Sequence, residues 1–544
     1  MSLKSPEPTV AEVARTADEE LLASLGYKQE FKREFSGLET FGIAFSIIGL
    51  LPSIASVLFY SIPNGGPASM VWGWAVASLF ILFVGMSMGE LASAAPTSGG
   101  LYFWTHSLSS PKYRNILAWI VGYANTVGSV SAIASIDWGC AVQIMAAASI
   151  GSLDENGNET FTATNAQLFG AYACVVLTHA VICCLGTKVL ARLQSVYVGL
   201  NVLLCLAVII ALPAATPSEF KNSASYAFGD FSNLSGWPNG FAFILGFQAP
   251  LWTICSFDSS VHISEEASNA AVAVPWAITG AIFIAGVLGW AINLALAFCM
   301  GTDLESIIGS PQPMAQIFLN SFGKKGALAI WAIIVVVQYM MGSSMVLAAS
   351  RQSFAFARDG ALPFSSWLYR MNGFTGTPVN TVWFTCGFAI LLGLLAFAGS
   401  QAINAVFALS VVALYIAYAI PIAARYLGEN SFKPGPFSLG VFSFPCAFIS
   451  VLWMLFMGIV LLFPGSPGAN TQGMNYASVV LFGTLILSLV WYWFPVYGGV
   501  HWFTGPVPTV DKGKGVEGNE QDERGSVDEI VVEYAGKDGK EREV

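Results

Sequence analysis

The sequence predicts an all-α integral membrane protein that crosses the bilayer twelve times. Hydrophobic residues make up 55% of the 544 residues and charged residues only 10%, whereas water-soluble globular proteins carry about 25% charged residues. Apolar runs of about 20 residues, the length that a helix needs to cross the hydrocarbon core, recur along the chain. Most charges lie near the two ends, so the net charge of −10 does not indicate a charged partner, and we expect no nucleic acid partner.

Each predicted span is an apolar run of roughly this length. The third run is longer than the bilayer requires, which implies a tilt or an extension beyond the bilayer. Only Gly399 and Ser400 separate the ninth run from the tenth. The approximate bounds are 40–61, 69–93, 115–149, 166–186, 190–212, 240–263, 275–300, 326–354, 379–398, 401–425, 443–464 and 476–498.

Polar segments flank this membrane domain of residues 39–500. Residues 1–38 and 505–544 are charged and poor in aromatic residues, a composition typical of disorder. We therefore predict mostly disordered tails, 1–38 and 501–544. The nine cysteines lie almost wholly in apolar runs and have neither metal-ligand nor disulfide-framework spacing, so we expect no metal and no cofactor.

The positions of lysine and arginine predict the orientation, because short cytoplasmic loops are enriched in these residues. With a cytoplasmic amino terminus, 20 of the 23 lie on the cytoplasmic side, and Lys221, Lys324 and Lys325 lie outside. Both N-x-S/T sequons, at Asn158 and Asn233, then fall in outside loops, where glycosylation can occur. We therefore predict that both termini are cytoplasmic.

The first and sixth spans are poorly suited to continuous helices. Gly49 and Pro52 lie near the middle of the first span, and proline removes a helical hydrogen bond. In the sixth span, Ser256 and Asp258 interrupt the apolar run. A single kink of this kind is often structural, but an acidic residue in the partner span favours a cavity. Interrupted segments at corresponding positions of two halves indicate a transporter binding site.

The chemistry of two such breaks suits a zwitterion. Free N–H groups at residues 51–53 form a positive helix end that can receive a carboxylate. Free carbonyl groups at residues 254–256 suit an ammonium group or a small cation. Trp252 and Phe257 either close over the substrate as an aromatic gate or pack the interior.

Other polar residues in the spans are candidates for coupling or gating. Glu90, Asp137 and Asp258 can each carry a coupling proton, although Glu90 is also suited to a structural tie and Asp137 is equally suited to either role. Ser343 and Ser344 either supply oxygens for a cation beside the first span or pack helices closely. After the sixth span, residues 265–266 form a predicted cytoplasmic gate or loop contact.

Five stretches of the sequence resemble the amino acid–polyamine–organocation superfamily. Within it, the chain is similar to the fungal amino acid/choline transporters and most similar to fungal GABA permeases. The stretches are FGIAFSIIGLLPSIAS (41–56), GELASAAPTSGGLYFW (89–104), SFDSSVHISEEASN (256–269), SRQSFAFARDGALP (350–363) and FKPGPFSLG (432–440).

The resemblance implies the LeuT-like fold, in which two inverted five-helix repeats, about 40–212 and 240–425, precede two extra helices, about 443–498. Spans one and six are then discontinuous, and Asp258 stands where many relatives carry a gating glutamate. Asn201 occupies the position at which several proton-coupled relatives have a lysine, which puts that part of the coupling in doubt. The implied substrate-binding residues are Gly49, Leu50, Leu51, Pro52, Ser53, Asn125, Trp252, Ile254, Cys255, Ser256 and Phe257.

These observations predict a secondary active transporter of the plasma membrane, or alternatively of the vacuolar membrane. Its expected substrate is GABA or a related small amino acid, and its expected coupling ion is H⁺. Choline or a polyamine is the alternative substrate, and a nutrient sensor is an alternative function. The four histidines are far apart in sequence and no zinc motif is present, so we predict that the chain is not an enzyme.

Overall fold

The computed structural model describes residues 10–154, 159–468 and 473–510, and this part of the chain is helical apart from loops and two isolated bridges. The helices are α1 Val10–Ser24, α2 Gly37–Ile48, α3 Leu50–Ser61, α4 Gly66–Ala94, α5 Gly100–Leu108, α6 Arg114–Gly151, α7 Asn165–Cys183, α8 Thr187–Ala215, α9 Ala224–Gly229, α10 Asn239–Leu245, α11 Gln248–Thr253, α12 Ser259–His262, α13 Ala270–Cys299, α14 Leu304–Gly309, α15 Pro313–Arg358, α16 Ser365–Leu368, α17 Val379–Gly393, α18 Ser400–Leu427, α19 Ser443–Val460 and α20 Ala477–Tyr492.

Within the described residues, ten helical segments are long and apolar enough to cross a membrane. They include α2 and α3 counted together, and they coincide with ten of the twelve predicted spans. The predicted sixth span falls on the short helices α10, α11 and α12, and the predicted twelfth span falls on α20, which has 16 residues. The all-helical membrane fold is confirmed, and the count of twelve stays a prediction.

Helices α2 and α3 meet at Gly49, which adopts a left-handed conformation with φ 44°. The amino end of α2 carries a capping box formed by Ser36 and Glu39, which satisfies two otherwise free backbone donors. At the other end, the N–H of Gly49 donates to the carbonyl of Phe45. A Cβ at Gly49 would lie 2.7 Å from the sulfur of Met341, so both backbone and space require glycine at this turn.

The chain between α11 and α12 is not helical. Ile254 ends α11 with φ −97° and ψ 56°, and Ser256 has a positive φ of 57°. A non-glycine residue in this left-handed region is uncommon. Asp258 stands immediately before the first residue of α12, so the carboxylate lies at the end of the irregular segment.

The long helix α6 packs against both α15 and α18, and α15 also packs against α2 and α3. Glycines permit the close approaches, as small residues do in membrane helix bundles. For example, a side chain at Gly128 of α6 would meet Leu414 of α18.

Part of the amino-terminal tail is ordered, which corrects the expectation of disorder for that part. Beyond α1, the buried rings of Tyr27, Phe31 and Phe35 pack against the membrane domain. Arg33 donates to the carbonyls of Ser264 and Ala267. The physical reason is that a few aromatic and charged residues of the tail contact the folded protein, including the loop after α12. The average composition of the tail does not predict these individual contacts. Residues 1–9 and 511–544 of the predicted tails lie outside the described residues.

Candidate binding site at two helix breaks

The two irregular segments lie against each other. Helix α3 packs on α11, and α2 packs on α12, so each half of one broken pair contacts a half of the other. The candidate residues around them are enclosed by protein: Asn125 is 1% exposed, Trp252 4% and Asp258 2%. This arrangement brings backbone ends of α2, α3 and α11 together with a buried carboxylate.

The described conformation is closed around the site. Two cavities, of about 440 and 410 Å³, open elsewhere on the protein and are not lined by site residues. The first is lined in part by Phe41 and Trp276, and the second by Pro213 and Phe298. Entry of a solute at the breaks therefore requires a conformational change.

The amino end of α3 offers fewer free donors than the sequence predicts. Ser53 donates its backbone N–H to the carbonyl of Gly49 at 2.9 Å and its hydroxyl to the carbonyl of Ile48 at 2.6 Å. Pro52 has no N–H. Of the predicted positive helix end, this leaves the amide of Leu51, which faces the thiol of Cys205.

Asn201 reaches the first half of this break from α8. Its side-chain amide donates to the carbonyl of Phe45 at 3.4 Å, the same carbonyl that accepts from the N–H of Gly49. A neutral amide therefore supports the end of α2 at the position where the resemblance implies a lysine in several proton-coupled relatives.

Asp258 is held from two sides. One carboxylate oxygen, Oδ2, lies 3.1 Å from Nε2 of His262, and the other, Oδ1, accepts a hydrogen bond of 2.6 Å from the hydroxyl of Tyr418. All three side chains are buried. Because a buried carboxylate needs hydrogen-bond partners, these two contacts stabilise Asp258 in its buried position.

His262 connects Asp258 to two further elements, and the sequence reasoning missed it. Its Nδ1 lies 3.0 Å from the carbonyl oxygen of Ser98, and its Nε2 lies 3.1 Å from the amide nitrogen of Asn125. The side-chain oxygen of Asn125 accepts from Ser129 at 3.2 Å. The spacing of four residues between Asp258 and His262 was the available signal, since such residues lie on one face of a helical turn.

The candidate aromatic residues contact separate partners. The ring centroid of Trp252 lies 4.9 Å from that of Phe407, and its indole nitrogen donates to Ser135 at 3.0 Å. Phe257 packs on Tyr418 at 5.3 Å. Trp252 thus lies near the end of α11, beside Ile254 and Cys255 of the break, and its role as a gate or as a packing residue stays a prediction.

The hydroxyl groups of Ser343 and Ser344 are used within the helix bundle. Ser343 donates to the carbonyl of Met340 at 2.8 Å, and Ser344 donates to the side chain of Gln194 at 3.0 Å. These contacts favour the packing alternative over a cation site.

Glu90 is a structural tie by its contacts. One of its oxygens lies 2.7 Å from the guanidinium of Arg425, and the other accepts from the hydroxyl of Ser443 at 2.6 Å and the N–H of Leu439 at 2.9 Å. The carboxylate therefore joins α4 to the end of α18 and the start of α19, as the structural alternative expects.

Asp137 forms a second buried pair. Its Oδ2 lies 3.1 Å from Nδ1 of His179 in α7, and both side chains are fully buried. Gly342 of α15 leaves no room for a side chain beside the pair. Asp137 lies in α6, as does Asn125, but twelve residues further along the helix.

Residues 265–266 form buried ion pairs with α15, which agrees with a gate or loop contact. Arg358 makes two contacts of 3.1 Å with Glu265, and Arg351 lies 2.8 Å from Glu266. The backbone N–H of Ser98 also donates to Glu265 at 3.0 Å. Residues 265–266 are thereby linked to His262 through the backbone of a single residue, Ser98.

Segments from both tails contact the residues around these ion pairs. The guanidinium of Arg358 lies 3.9 Å from the ring centroid of Tyr27, and the hydroxyl of Tyr27 donates to Asp359 at 3.2 Å. From the carboxyl-terminal segment, the N–H of Val507 donates to Asp359 at 3.0 Å. Burial raises the pKa of Asp359, and the charge of Arg358 opposes this shift.

The two sequons differ in what the structure describes. Asn233 lies in a turn in which its amide donates to the carbonyl of Trp237 at 2.6 Å and its oxygen accepts from Ser235. Asn158 lies outside the described residues. Glycosylation at either position stays a prediction.

A bundle of apolar helices around a buried site at two helix breaks defines the class of polytopic membrane transporters. The amino acid permease family profile matches residues 35–485, and the chain belongs to this family. It is therefore a multi-pass membrane protein that transports small solutes, not an enzyme.

Several fungal permeases are similar along most of their length. The GABA-specific permease of Saccharomyces cerevisiae is 41% identical over 87% of this chain and 84% of its own length. An uncharacterized amino-acid permease of Schizosaccharomyces pombe is 40% identical over 91% of this chain and 89% of its own length. Amino-acid permease 2 of Neurospora crassa is 35% identical over 89% of this chain and 88% of its own length.

Proposed function

We propose that the protein is a proton-coupled symporter of GABA or a related small amino acid that works by alternating access. The observation that carries the proposal is the contact between two helix breaks, at Gly49 and at residues 254–258, beside the buried carboxylate of Asp258. Backbone groups freed at such breaks bind charged ends of a substrate without a counter-charged side chain.

The proposed architecture has twelve spans, with spans one and six discontinuous and two inverted repeats of five helices. The three short helices α10–α12 supply the sixth span, and α20 supplies the twelfth. In support of a common side for the termini, the N–H of Lys28 donates to the hydroxyl of Thr509 at 2.8 Å. With the bias of lysine and arginine, this contact supports two cytoplasmic termini. The proposed location is the plasma membrane, in line with membership of the permease family.

The substrate is proposed to bind with its carboxylate at the amides of Leu50 and Leu51. Its ammonium group then meets the carbonyl groups of Ile254 and Cys255. Similarity to a GABA-specific permease supports a substrate with both groups. A longer separation of amine and acid, as in GABA, suits two helix ends that face each other across a site.

Choline is less well supported. It requires an aromatic cage, and Trp252, Phe257 and Tyr123 are the aromatic candidates for one. The described ring contacts pair Trp252 with Phe407 and Phe257 with Tyr418, and they place Tyr123 beside Phe356. The three rings are thus divided among separate clusters.

Uptake by the protein in liposomes tests the proposal. With an inward proton gradient, labelled GABA should accumulate above its outside concentration, and collapse of the gradient should abolish accumulation. Unlabelled GABA and related amino acids should compete, and choline and spermidine should not. If GABA neither accumulates nor competes, the proposed substrate is wrong, and uptake that ignores the gradient would refute proton coupling.

Asp258→Asn tests the coupling residue, with Asp230→Asn in the loop before α10 as a matched control. The amide keeps the shape of the side chain and its contact with Tyr418 but cannot exchange a proton at neutral pH. Accumulation should be lost, whereas exchange of labelled for unlabelled substrate should persist. Accumulation at the level of the control would remove Asp258 from the coupling.

A further inference from the structure

We propose that His262 couples proton binding at Asp258 to substrate binding at Asn125 through a hydrogen-bond switch. The inference rests on the proposed symport and on the substrate-binding role that the resemblance implies for Asn125, and it adds the residue that links the two binding events. It starts from the geometry of one atom, Nε2 of His262, which faces a carboxylate and an amide at equal distances.

The tautomer of His262 is fixed by its other nitrogen. Nδ1 lies 3.0 Å from the carbonyl oxygen of Ser98, and a carbonyl oxygen can only accept. Nδ1 therefore keeps its hydrogen in both protonation states of the ring. The proton that the ring gains or loses is the one on Nε2, which points into the site.

Nε2 cannot satisfy both of its neighbours at once. Oδ2 of Asp258 and Nδ2 of Asn125 each lie 3.1 Å away. An ionised carboxylate accepts and an amide nitrogen donates. With a hydrogen on Nε2, the bond to Asp258 forms and the amide of Asn125 meets a donor. Without a hydrogen on Nε2, the lone pair of this nitrogen accepts a hydrogen bond from the amide of Asn125 and faces the negative charge of Asp258.

The pair of Asp258 and His262 has few groups around it that could balance a charge. Without a bound proton on Nε2, the pair carries one buried negative charge, with a single neutral donor from Tyr418. The arginines of α15, which packs on α12, are already paired with carboxylates. Other ionisable groups on the elements packed around the pair include Cys255 on the same segment, Glu39 in the first turn of α2, Tyr123, Asp137 and Cys140 on α6, Tyr415 on α18, Arg425 on α18, which is paired with Glu90, Cys299 at the far end of α13, and Glu265, whose oxygen accepts from the N–H of Ser98.

Proton binding therefore releases the amide of Asn125. In the protonated state the amide hydrogens have no acceptor on His262 and are available to the substrate. Loss of the proton draws the amide back to Nε2. Because coupling between two binding events is reciprocal, substrate bound at Asn125 strengthens proton binding by the same factor, which is the requirement for symport.

A titration without substrate tests the switch itself. The four histidines are labelled with ¹⁵N in protein held in lipid nanodiscs, and the signal of His262 is assigned by its loss in His262→Gln. Asn125→Ala removes the donor that competes with the proton, so the titration midpoint of His262 should move to higher pH. A midpoint that does not move would overturn the inference.

Transport measurements test the consequence in the working protein. For labelled GABA, the wild-type KM should fall at least about fivefold between pH 7.5 and 5.5, the lower end of typical coupling between sites. In His262→Gln, the KM should change less than about twofold over the same range. His179→Gln is the matched control, because His179 also pairs with a buried aspartate but belongs to a different cluster, and it should keep the wild-type pH dependence.

The outcomes separate the inference from the proposed function. If the wild type accumulates GABA and His262→Gln keeps the full pH dependence of KM, the switch is wrong and symport stands. If the wild type does not couple uptake to protons, symport is wrong, and the titration of Asn125→Ala still decides whether the amide and the proton compete. If His262→Gln does not fold, the same titration decides, with assignment by elimination of the other three histidines.

Discussion

Glu265→Gln should open the proposed cytoplasmic gate. The side chains of Glu265 and Arg358 are fully buried and make two contacts of 3.1 Å. The substitution keeps an oxygen that can accept from the N–H of Ser98 but removes the charge that balances Arg358. Loss of one partner of a buried ion pair costs about 3–5 kcal/mol.

The lower end of this range is the better expectation here. Asp359 follows Arg358 directly and lies close enough to offset part of the lost charge. A cost of about 3 kcal/mol changes the ratio of closed to open states by roughly 150-fold. The closed state loses stability because the arginine stays buried, whereas in the open state water solvates it.

Alkylation of Cys255 from the cytoplasmic side measures this change. Cys255 is 6% exposed in the closed state and lies in the second helix break. In a protein that retains only this cysteine, in inside-out vesicles, Glu265→Gln should raise the rate of maleimide reaction by about 100-fold, provided that opening is rare and reversible. Glu305→Gln, at an exposed position of α14, is the control and should leave the rate unchanged.

A double variant separates the ion pair from general damage. Arg358→Met combined with Glu265→Gln removes both charges, so its effect should be smaller than that of Glu265→Gln alone. If Glu265→Gln folds normally and reacts within about twofold of the wild type, the buried pair does not hold the gate closed.

Three further results are expected. Gly49→Ala should reduce the yield of folded protein and abolish uptake, because φ is positive and a Cβ would meet Met341 at 2.7 Å. Adding Met341→Ala to this variant should restore part of the yield. Unchanged uptake in Gly49→Ala would contradict the reasoning. Glu90→Gln should lower the melting temperature of the solubilised protein but leave the pH dependence of uptake unchanged, and a changed dependence would return Glu90 to the coupling. Burial lowers the pKa of His106 from 6.5 to about 4, so the packing of Gly505 against this ring should be complete above pH 6.5 and should weaken as pH falls toward 4. Hydrogen exchange of the segment around Gly505 should therefore be less sensitive to acid in His106→Gln than in the wild type. Equal sensitivity would show that His106 does not cause the effect.

Local sequence properties predict the membrane helices well, because a 20-residue apolar run has few other stable environments. They also identify Gly49, since a glycine with a proline three residues further on, at Pro52, limits the helical backbone directly. Local sequence properties do not predict which side chains on different helices form hydrogen bonds with each other. Asn125 and His262 are 137 residues apart, and Tyr418 and Asp258 are 160 residues apart, so no periodic pattern relates them.

The amino-terminal segment shows the limit of composition. Its charges predict disorder when averaged over 38 residues, yet Tyr27, Phe31 and Phe35 recur every four residues and are buried. Asp18 accepts from the N–H groups of Asn269 and Ala270, at the start of α13, where a negative charge is stabilised by the helix dipole. Docking of this kind depends on a surface that only the folded chain supplies.

The two buried aspartate–histidine pairs differ in their contacts, and the proposed switch predicts different roles for them. At Asp137 and His179, one nitrogen contacts one oxygen, and in the described part of the chain neither Oδ1 nor Nε2 has a hydrogen-bond partner. A proton shared within that pair has no competitor, so its gain or loss reorients no neighbour. At Asp258 and His262, the shared atom also faces Asn125, and a change of one proton must move an amide at the proposed substrate site. Burial and an adjacent histidine are therefore not enough to identify a coupling carboxylate; the second neighbour of the histidine distinguishes a switch from a static contact.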